Sequence, residues 1–282
     1  GAAVVQTIHN YRPMCPAATL FRDGKPCEDC AGRLLPMPSL VHACYRGSRL
    51  QTLPVAVMLT TNRLLRTWRH VDAFIALTTF AAAKLADGGL PADRIHVKPN
   101  FVSPDPGERV GSGDGFLFVG RLAAEKGVGT LIDAAPLIEA GITVRIAGDG
   151  PEADHLRAAA ARHDVLRPLG RLAPGDVRRE LERCRAVVFP SLWYEGLPMV
   201  ILEAFAAGVP VIAARLGAAA TLVRDGETGL TYDPGDPAAL AACLAWAQAH
   251  PDEMVRLGRA GRARYLADFT ADASHRRLLE IY

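Results

Sequence analysis

From residue 70 onward, short apolar runs alternate with amphipathic stretches: VDAFIAL, a helical pattern through Lys84, then RIHVKPN. Strand-length apolar runs separated by helical periods are the pattern of a parallel α/β sheet. Near the start, AVVQTI has the make-up of one more buried parallel strand, with nothing before it to pair with or cover it. The chain is therefore expected to be an N-terminally truncated fragment, short of its first βαβ units of about 30 residues each. A stretch rich in Pro, Gly, Ser and charge, SPDPGERVGSGDG at 103 to 115, interrupts the alternation. Strands FLFVG, ITVRIAG, one near Val165, AVVFPS and PVIAA then alternate with helices running through Ile138 and starting at Glu152, Asp176 and Met199. Five such strands predict a doubly wound parallel sheet. From Pro237 to Tyr282 the pattern is almost wholly helical, with Pro251 restarting a helix after LAACLAWAQAH. The expected organisation is a partial N-terminal Rossmann-like domain over 1–102 with a cysteine-containing insert, a linker over 103–114, and a C-terminal Rossmann-like domain with a helical tail over 115–282.

Composition narrows the classes without choosing among them. At 282 residues and 50% hydrophobic content the chain can bury one large core or two moderate ones, which excludes disorder as the main theme. Lys plus Arg (32) nearly balance Asp plus Glu (30), so the formal charge of +2 gives no reason to expect nucleic acid as a partner. No apolar run approaches the roughly 18 residues of a membrane span, and GAAVVQTIHN lacks the basic start of a signal peptide, so a cytoplasmic protein is expected.

Ligands of open parallel sheets bind beyond the carboxyl ends of the strands. Here those positions are polar and Gly-rich: FLFVG runs into RLAAEKG, ITVRIAG into DGP, and AVVFPS into LWYEGLP. Arg121 and Lys126, five positions apart between a strand and a helix, suit a diphosphate at the sheet mouth, although an isolated pair of cations is more often just solvated. Glu195 falls in a Gly-containing loop after a strand and Glu203 in the following helix, with Pro198 suited to its first position. Eight residues span about 12 Å of helix, so one sugar nucleotide could meet both carboxylates while the amides of Gly196, Leu197 and Met199 face it. Glu203 could instead be a surface position, but its neighbours Val200, Ile201, Leu202, Phe205 and Ala206 are apolar, and a carboxylate in such company needs a partner.

VGRLAAEKG, IAGDGP and the Glu, seven residues, Glu arrangement, in this order at successive strand ends, resemble glycosyltransferase family 4, a retaining family with the GT-B fold of two Rossmann-like domains with parallel sheets. The likeness runs over essentially the whole chain. It implies that Arg121 and Lys126 bind the donor diphosphate, Glu203 the ribose hydroxyls and Glu195 the hydroxyls of the transferred sugar. It further implies that the loop Gly170 to Leu172, with Arg171 at its centre, edges the base, and that Gly148 to Gly150 let the backbone approach closely. His9, at the end of QTIHNYR, matches the histidine this family turns toward the donor sugar, though a lone His is as a rule structural. The resemblance implies no catalytic metal, a uridine or guanosine diphosphate sugar as donor, and a hexosyl unit passed to a glycan or lipid-linked acceptor in cell-surface polysaccharide assembly. Two rivals share the crevice: a nucleotide-sugar epimerase of the same fold and a non-catalytic sugar-nucleotide-binding protein.

Two features lie outside that constellation. Cys15, Cys27, Cys30 and Cys44 include one CxxC and could close a tetrahedral structural zinc site, or could be a loop of reduced, buried thiols. Their stretch resembles an insert found in a subset of these transferases near the acceptor side. Arg63, Arg66 and Arg69 recur every three positions beside Leu64, Leu65 and Trp68 on a predicted helix, which suits peripheral contact with an anionic membrane at its inner face or a lipid-diphosphate acceptor, or marks an ordinary solvated face.

Overall fold

The structure, a computed structural model, describes residues 2–282. The chain divides into two units, one made of Gly1–Asn100, Trp193–Leu197 and Ser274–Tyr282, the other of Phe101–Leu192 and Pro198–Ala273. The first unit contains β1 (Val5–Ile8), the two-residue strands β2 (Phe21–Arg22) and β3 (Lys25–Pro26), α1 (Met37–Val41), α2 (Arg49–Leu64), β4 (Ala73–Ala76), α3 (Thr79–Asp87) and β5 (Ile95–Val97). Its sheet is parallel in the order β1-β4-β5, with Val5 opposite Ala73 and Phe74 opposite Ile95. Thr78 accepts from the Ala81 amide at 3.0 Å and starts α3 directly after β4, as expected of a capping threonine at a strand-to-helix turn. Ile8, Tyr11, Met14, Leu20, Phe74 and Leu85 form the core.

Two expectations change here. β1 is an edge strand rather than a fully buried one, because it pairs with β4 alone and Gln6 and Thr7 are exposed. Helix α2 stops at Leu64: Arg66 turns left-handed at φ 50°, and a short 3-10 turn, Thr67–His70, leads into β4. The three arginines therefore do not lie along one helix face.

The second unit contains β6 (Phe116–Val119), α4 (Val128–Ala134), β7 (Val144–Ala147), α5 (Ala153–Ala160), β8 (Leu166–Gly170), α6 (Pro174–Arg183), β9 (Ala186–Phe189), α7 (Met199–Ala206), β10 (Val211–Ala214), α8 (Gly217–Leu222), β11 (Gly229–Tyr232), α9 (Pro237–Ala249) and α10 (Pro251–Asp268); α11 (Ala271–Leu279) ends the chain's helices. All six strands are parallel in the order β11-β10-β9-β6-β7-β8. The chain winds outward from β6 to β8, returns to the other side of β6 at β9, and winds outward again. The winding direction reverses between β6 and β9, which puts a crevice at their carboxyl ends. Phe116, Leu131, Val144, Val188 and Ile212 pack the centre of this unit.

The stretch expected to be a linker is bound down along the second unit. The amides of Val102, Arg109 and Asp114 donate to Phe269, Ala207 and Arg183 carbonyls at 3.1, 2.9 and 2.7 Å. The buried Arg109 side chain donates to the Cys184 carbonyl and, at 3.3 Å, to that of Arg185. A polar sequence without helix or strand periodicity can still be ordered when its backbone groups find partners on a neighbouring element.

Candidate functional site

The carboxyl ends of β6, β7 and β8 are tied into one surface. The Gly120 amide donates to Ala147 O at 3.0 Å, Leu122 to Asp149 O at 2.9 Å and Gly148 to Gly170 O at 2.8 Å. Gly148 and Gly150 are needed for that approach, since a Cβ on the first would collide with the Gly120 carbonyl oxygen and on the second with the carbonyl oxygen of Leu122. A cavity of about 450 Å³ opens on this surface, bounded by Gly120, Arg121, Gly148, Gly150, Arg171 and Leu172. Arg121 and Arg171 are exposed, so their guanidinium groups can swing onto an anion. Arg121 lies 3.9 Å from Glu125, a weak surface pair. Lys126 ends the 3-10 turn Ala124–Lys126, with only Gly127 between it and α4. Across the winding reversal, the Leu192 amide donates to Glu125 O at 2.9 Å, which fixes the segment after β9 to the loop that carries the two cations.

Helix α7 supplies Glu203. Pro198 occupies the cap position, one residue earlier than the sequence suggested, and no side chain caps the helix start. Burial raises the Glu203 carboxyl above the ordinary carboxylate range. Glu203 has neither a hydrogen-bonding nor an ion-pairing side-chain partner among the described residues, while Ile201, Leu202, Ala204 and Phe205 around it are fully buried. A half-buried carboxylate without a protein partner is suited to accept hydroxyl donors from a ligand.

Glu195, Gly196 and Leu197 lie with the first unit, not with α7. Thr78 Oγ1 donates to Gly196 O at 3.4 Å, and a Cβ on Gly196 would come to 2.8 Å from the His9 carbonyl oxygen. His9, exposed at the carboxyl end of β1, is thus brought beside the segment that carries the buried Glu195. No local spacing points to the groups around them. Tyr11, buried, has its hydroxyl pushed up by burial and then by the nearby Tyr194 and Glu195. Burial, with a hydrogen bond to Glu28, raises the Tyr194 hydroxyl to about 12. Lys84 pairs with Glu28 at 2.8 Å and sits 5.8 Å from the ring centre of Tyr194. These residues come from four separate stretches of chain, so no local spacing could have exposed the group.

The four clustered cysteines are free thiols, Cys15 and Cys30 buried and Cys27 and Cys44 half-buried. They are close enough that Cys15, Cys44 and Cys27 each make the Cys30 thiolate less favourable, but burial is the larger cause, and Cys30 is pushed up to about 11. Its sulfur lies 3.8 Å from the Pro36 carbonyl oxygen. Among the described residues no group of three or more His, Cys, Asp or Glu side chains is arranged to hold a metal ion. Zinc binds thiolates, whereas burial here favours the thiol at Cys30.

Among the described residues no helix is long and apolar enough to cross a membrane. Residues 113–249 match the family model described as Glycosyl transferases group 1. Over 159 residues the chain is 39% identical to glycogen synthase of Mycobacterium tuberculosis, covering 54% of this chain and 38% of that protein. It is 36% identical over 160 residues to the D-rhamnosyltransferase WbpZ of Pseudomonas aeruginosa, covering 55% and 42%. Against the alpha-maltose-1-phosphate synthase of Mycolicibacterium smegmatis it is 31% identical over 223 residues, covering 68% and 57%. The chain thus spans between 38% and 57% of the length of these relatives. Among solved structures, it is similar to Anabaena HepE in complex with UDP-glucose, with a TM-score of 0.73, 21% identity and coverage of 99% of this chain and 71% of that one. Sucrose-phosphate synthase from Thermosynechococcus elongatus gives a TM-score of 0.69 at 24% identity, covering 79% and 61%. These likenesses give the chain its fold, the GT-B class built on Rossmann-like domains.

Proposed function

We propose that this chain is part of a retaining glycosyltransferase that moves a hexosyl unit from a uridine or guanosine diphosphate sugar to a glycan or lipid-linked acceptor in cell-surface polysaccharide assembly. The observation that carries the proposal is the cavity at the carboxyl ends of β6, β7 and β8, where Arg121 and Arg171 are placed beside glycine backbones that leave room for a ligand. When the bond between the sugar's anomeric carbon and the diphosphate breaks, negative charge develops on the leaving diphosphate. Arg121 and Lys126 would offset that charge through charge-assisted hydrogen bonds. Glu203 would hold the ribose hydroxyls, Arg171 the edge of the base, and Gly196 and Leu197 the backbone beside the ligand. Glu195 and His9 would orient the transferred sugar, a reading supported by the Gly196 backbone, next to Glu195, lying beside the His9 carbonyl within the first unit. The solved complex of HepE with UDP-glucose and the transferases among the relatives support the donor class.

Calorimetry with UDP and GDP tests the site directly. Either nucleotide is expected to bind, and Arg121→Ala or Lys126→Ala to cost about 1.5–3 kcal/mol, roughly 10-fold to 150-fold in affinity. Unchanged affinity in both variants would remove the diphosphate from this cavity. Mass spectrometry of donor and acceptor mixtures separates the activities: a glycosylated acceptor supports transfer, whereas an isomerised sugar nucleotide formed without acceptor would make the chain an epimerase.

A further inference from the structure

The interrupted helix after Leu64 creates a second polar concavity. Arg63 at the end of α2, Arg66 in its left-handed turn, Arg69 in the 3-10 turn and Arg94 just before β5 line one cavity of about 700 Å³, together with Asp93 and Trp68. Four arginines against one aspartate leave a formal charge of +3 on these walls. None of the four is paired with a carboxylate among the described residues. Two are instead oriented by backbone: Arg94 Nη1 donates to the carbonyls of Arg69 and Val71 at 2.8 and 2.9 Å, and Arg63 Nη2 lies 3.5 Å from those of Met14 and Cys30. Arg63 Nη1 is buried and has no partner. Bringing like charges together in a partly dry concavity is unfavourable unless an anion shares them.

The cavity is lined by first-unit residues alone, whereas Arg121, Lys126, Arg171 and Glu203 belong to the second unit. Arg69 lies in the turn that leads into β4 and Arg94 immediately before β5, toward the amino ends of those strands, whereas His9 follows the carboxyl end of β1. Since the strands are parallel, these two arginines lie toward the opposite strand ends from His9, although Asn62 and Trp68 line both the arginine cavity and the neighbouring hollow that His9 borders. Leu34, half exposed on the cavity wall, and the exposed Leu64 and Leu65 beside the arginines add an apolar margin.

We propose that the Arg63, Arg66, Arg69 and Arg94 cavity is a second anion site that binds a phosphate or diphosphate ester, distinct from the nucleotide cavity of the second unit. The ester comes either as a lipid headgroup, whose chains would lie on the leucine margin, or as a free phosphate. Guanidinium forks suit phosphate oxygens, and several converging forks select a multiply charged group over a single carboxylate.

The test uses the full chain carrying Arg121→Ala, Lys126→Ala and Arg171→Ala, so that the cations assigned to the nucleotide cavity do not contribute, and inorganic pyrophosphate as probe. Calorimetry is expected to show one site that weakens at least about tenfold when Arg66→Ala and Arg69→Ala are added. Both of these side chains are exposed, and circular dichroism of the variant checks that it folds. In parallel, the chain is sedimented with phosphatidic acid vesicles and with phosphatidylcholine vesicles. Retention on the acidic vesicles alone, lost with the two substitutions and at high salt, assigns the headgroup; pyrophosphate binding without retention assigns the free ester. Absence of pyrophosphate binding, or binding indifferent to Arg66→Ala and Arg69→Ala, overturns the proposal. Because the cations of the nucleotide cavity are already gone, neither result depends on the transferase reading.

Discussion

Glu203 is half-buried on α7, its carboxyl raised by burial and without a side-chain partner, a position unfavourable to the free protein and useful to a ligand. The pH dependence follows from the direction of the shift. A carboxyl raised in the folded state costs nothing at a pH low enough to protonate it in both states; the cost grows as pH rises through the unfolded value and is complete above the folded one. Glu203→Gln is therefore expected to raise Tm at about pH 8 and leave it unchanged at about pH 4, while weakening nucleoside diphosphate by roughly 1.5–3 kcal/mol. Equal Tm gains at both pH values would mean that the benefit comes from packing and not from removing the charge. The carboxylate was legible because its apolar neighbours are adjacent in sequence, as were Arg121, Gly148, Gly150 and Arg171, each directly after a strand-like run. Tyr11, Glu28, Lys84 and Tyr194 were not legible, because what makes them a group is a fold that joins residues up to 183 positions apart.

At the scale of elements, periodicity located β6, β7, β9 and β10, which are mostly buried and, apart from Arg145 in β7, apolar, but missed β11, where GLTY carries a glycine and a threonine and leaves its two central residues half exposed. The helical pattern across Leu64, Leu65 and Arg66 has neither Gly nor Pro to announce the break that the structure shows there. The segment between β1 and α2 is the least regular part of the first unit and holds five left-handed non-glycine residues, Ala18, Leu20, Asp23, Ala43 and Arg46. Within it the Cys30 thiol, pushed up to about 11, is expected to alkylate with iodoacetamide at a small fraction of the rate of a free model thiol at about pH 8, and to approach that rate only as pH nears 11. Peptide-resolved labelling measures this. If the protection disappears on chelation and the purified chain carries one zinc, a metal and not burial shields the sulfur, and the four-thiolate reading of the spacing holds.

For the molecule as a whole, the alternating pattern gave the parallel α/β class and the polar strand ends gave the edge of the second sheet that carries the candidate site. It did not give the course of the chain between units, because leaving one unit and re-entering it has no periodic signature. The sequence suggested one crossing, at the polar stretch after residue 102, whereas the chain changes units again on either side of Trp193–Leu197 and once more after Ala273. That five-residue detour has a genetic consequence. A gene fragment beginning at residue 115 would encode all six strands of the second sheet, yet it would carry Glu195 and Gly196 without Thr78, Tyr11 or the His9 backbone that lies beside Gly196. Amide exchange of Trp193–Leu197 is expected to be faster in such a fragment than in the full chain, while the amides of β6 and β9 exchange alike in both. Equal exchange of the detour in both would show that it is ordered by its own half. The two units can thus be told apart in space, but no single cut in the sequence separates them, and any reconstruction from two separately expressed halves would have to graft these five residues as well as join the ends.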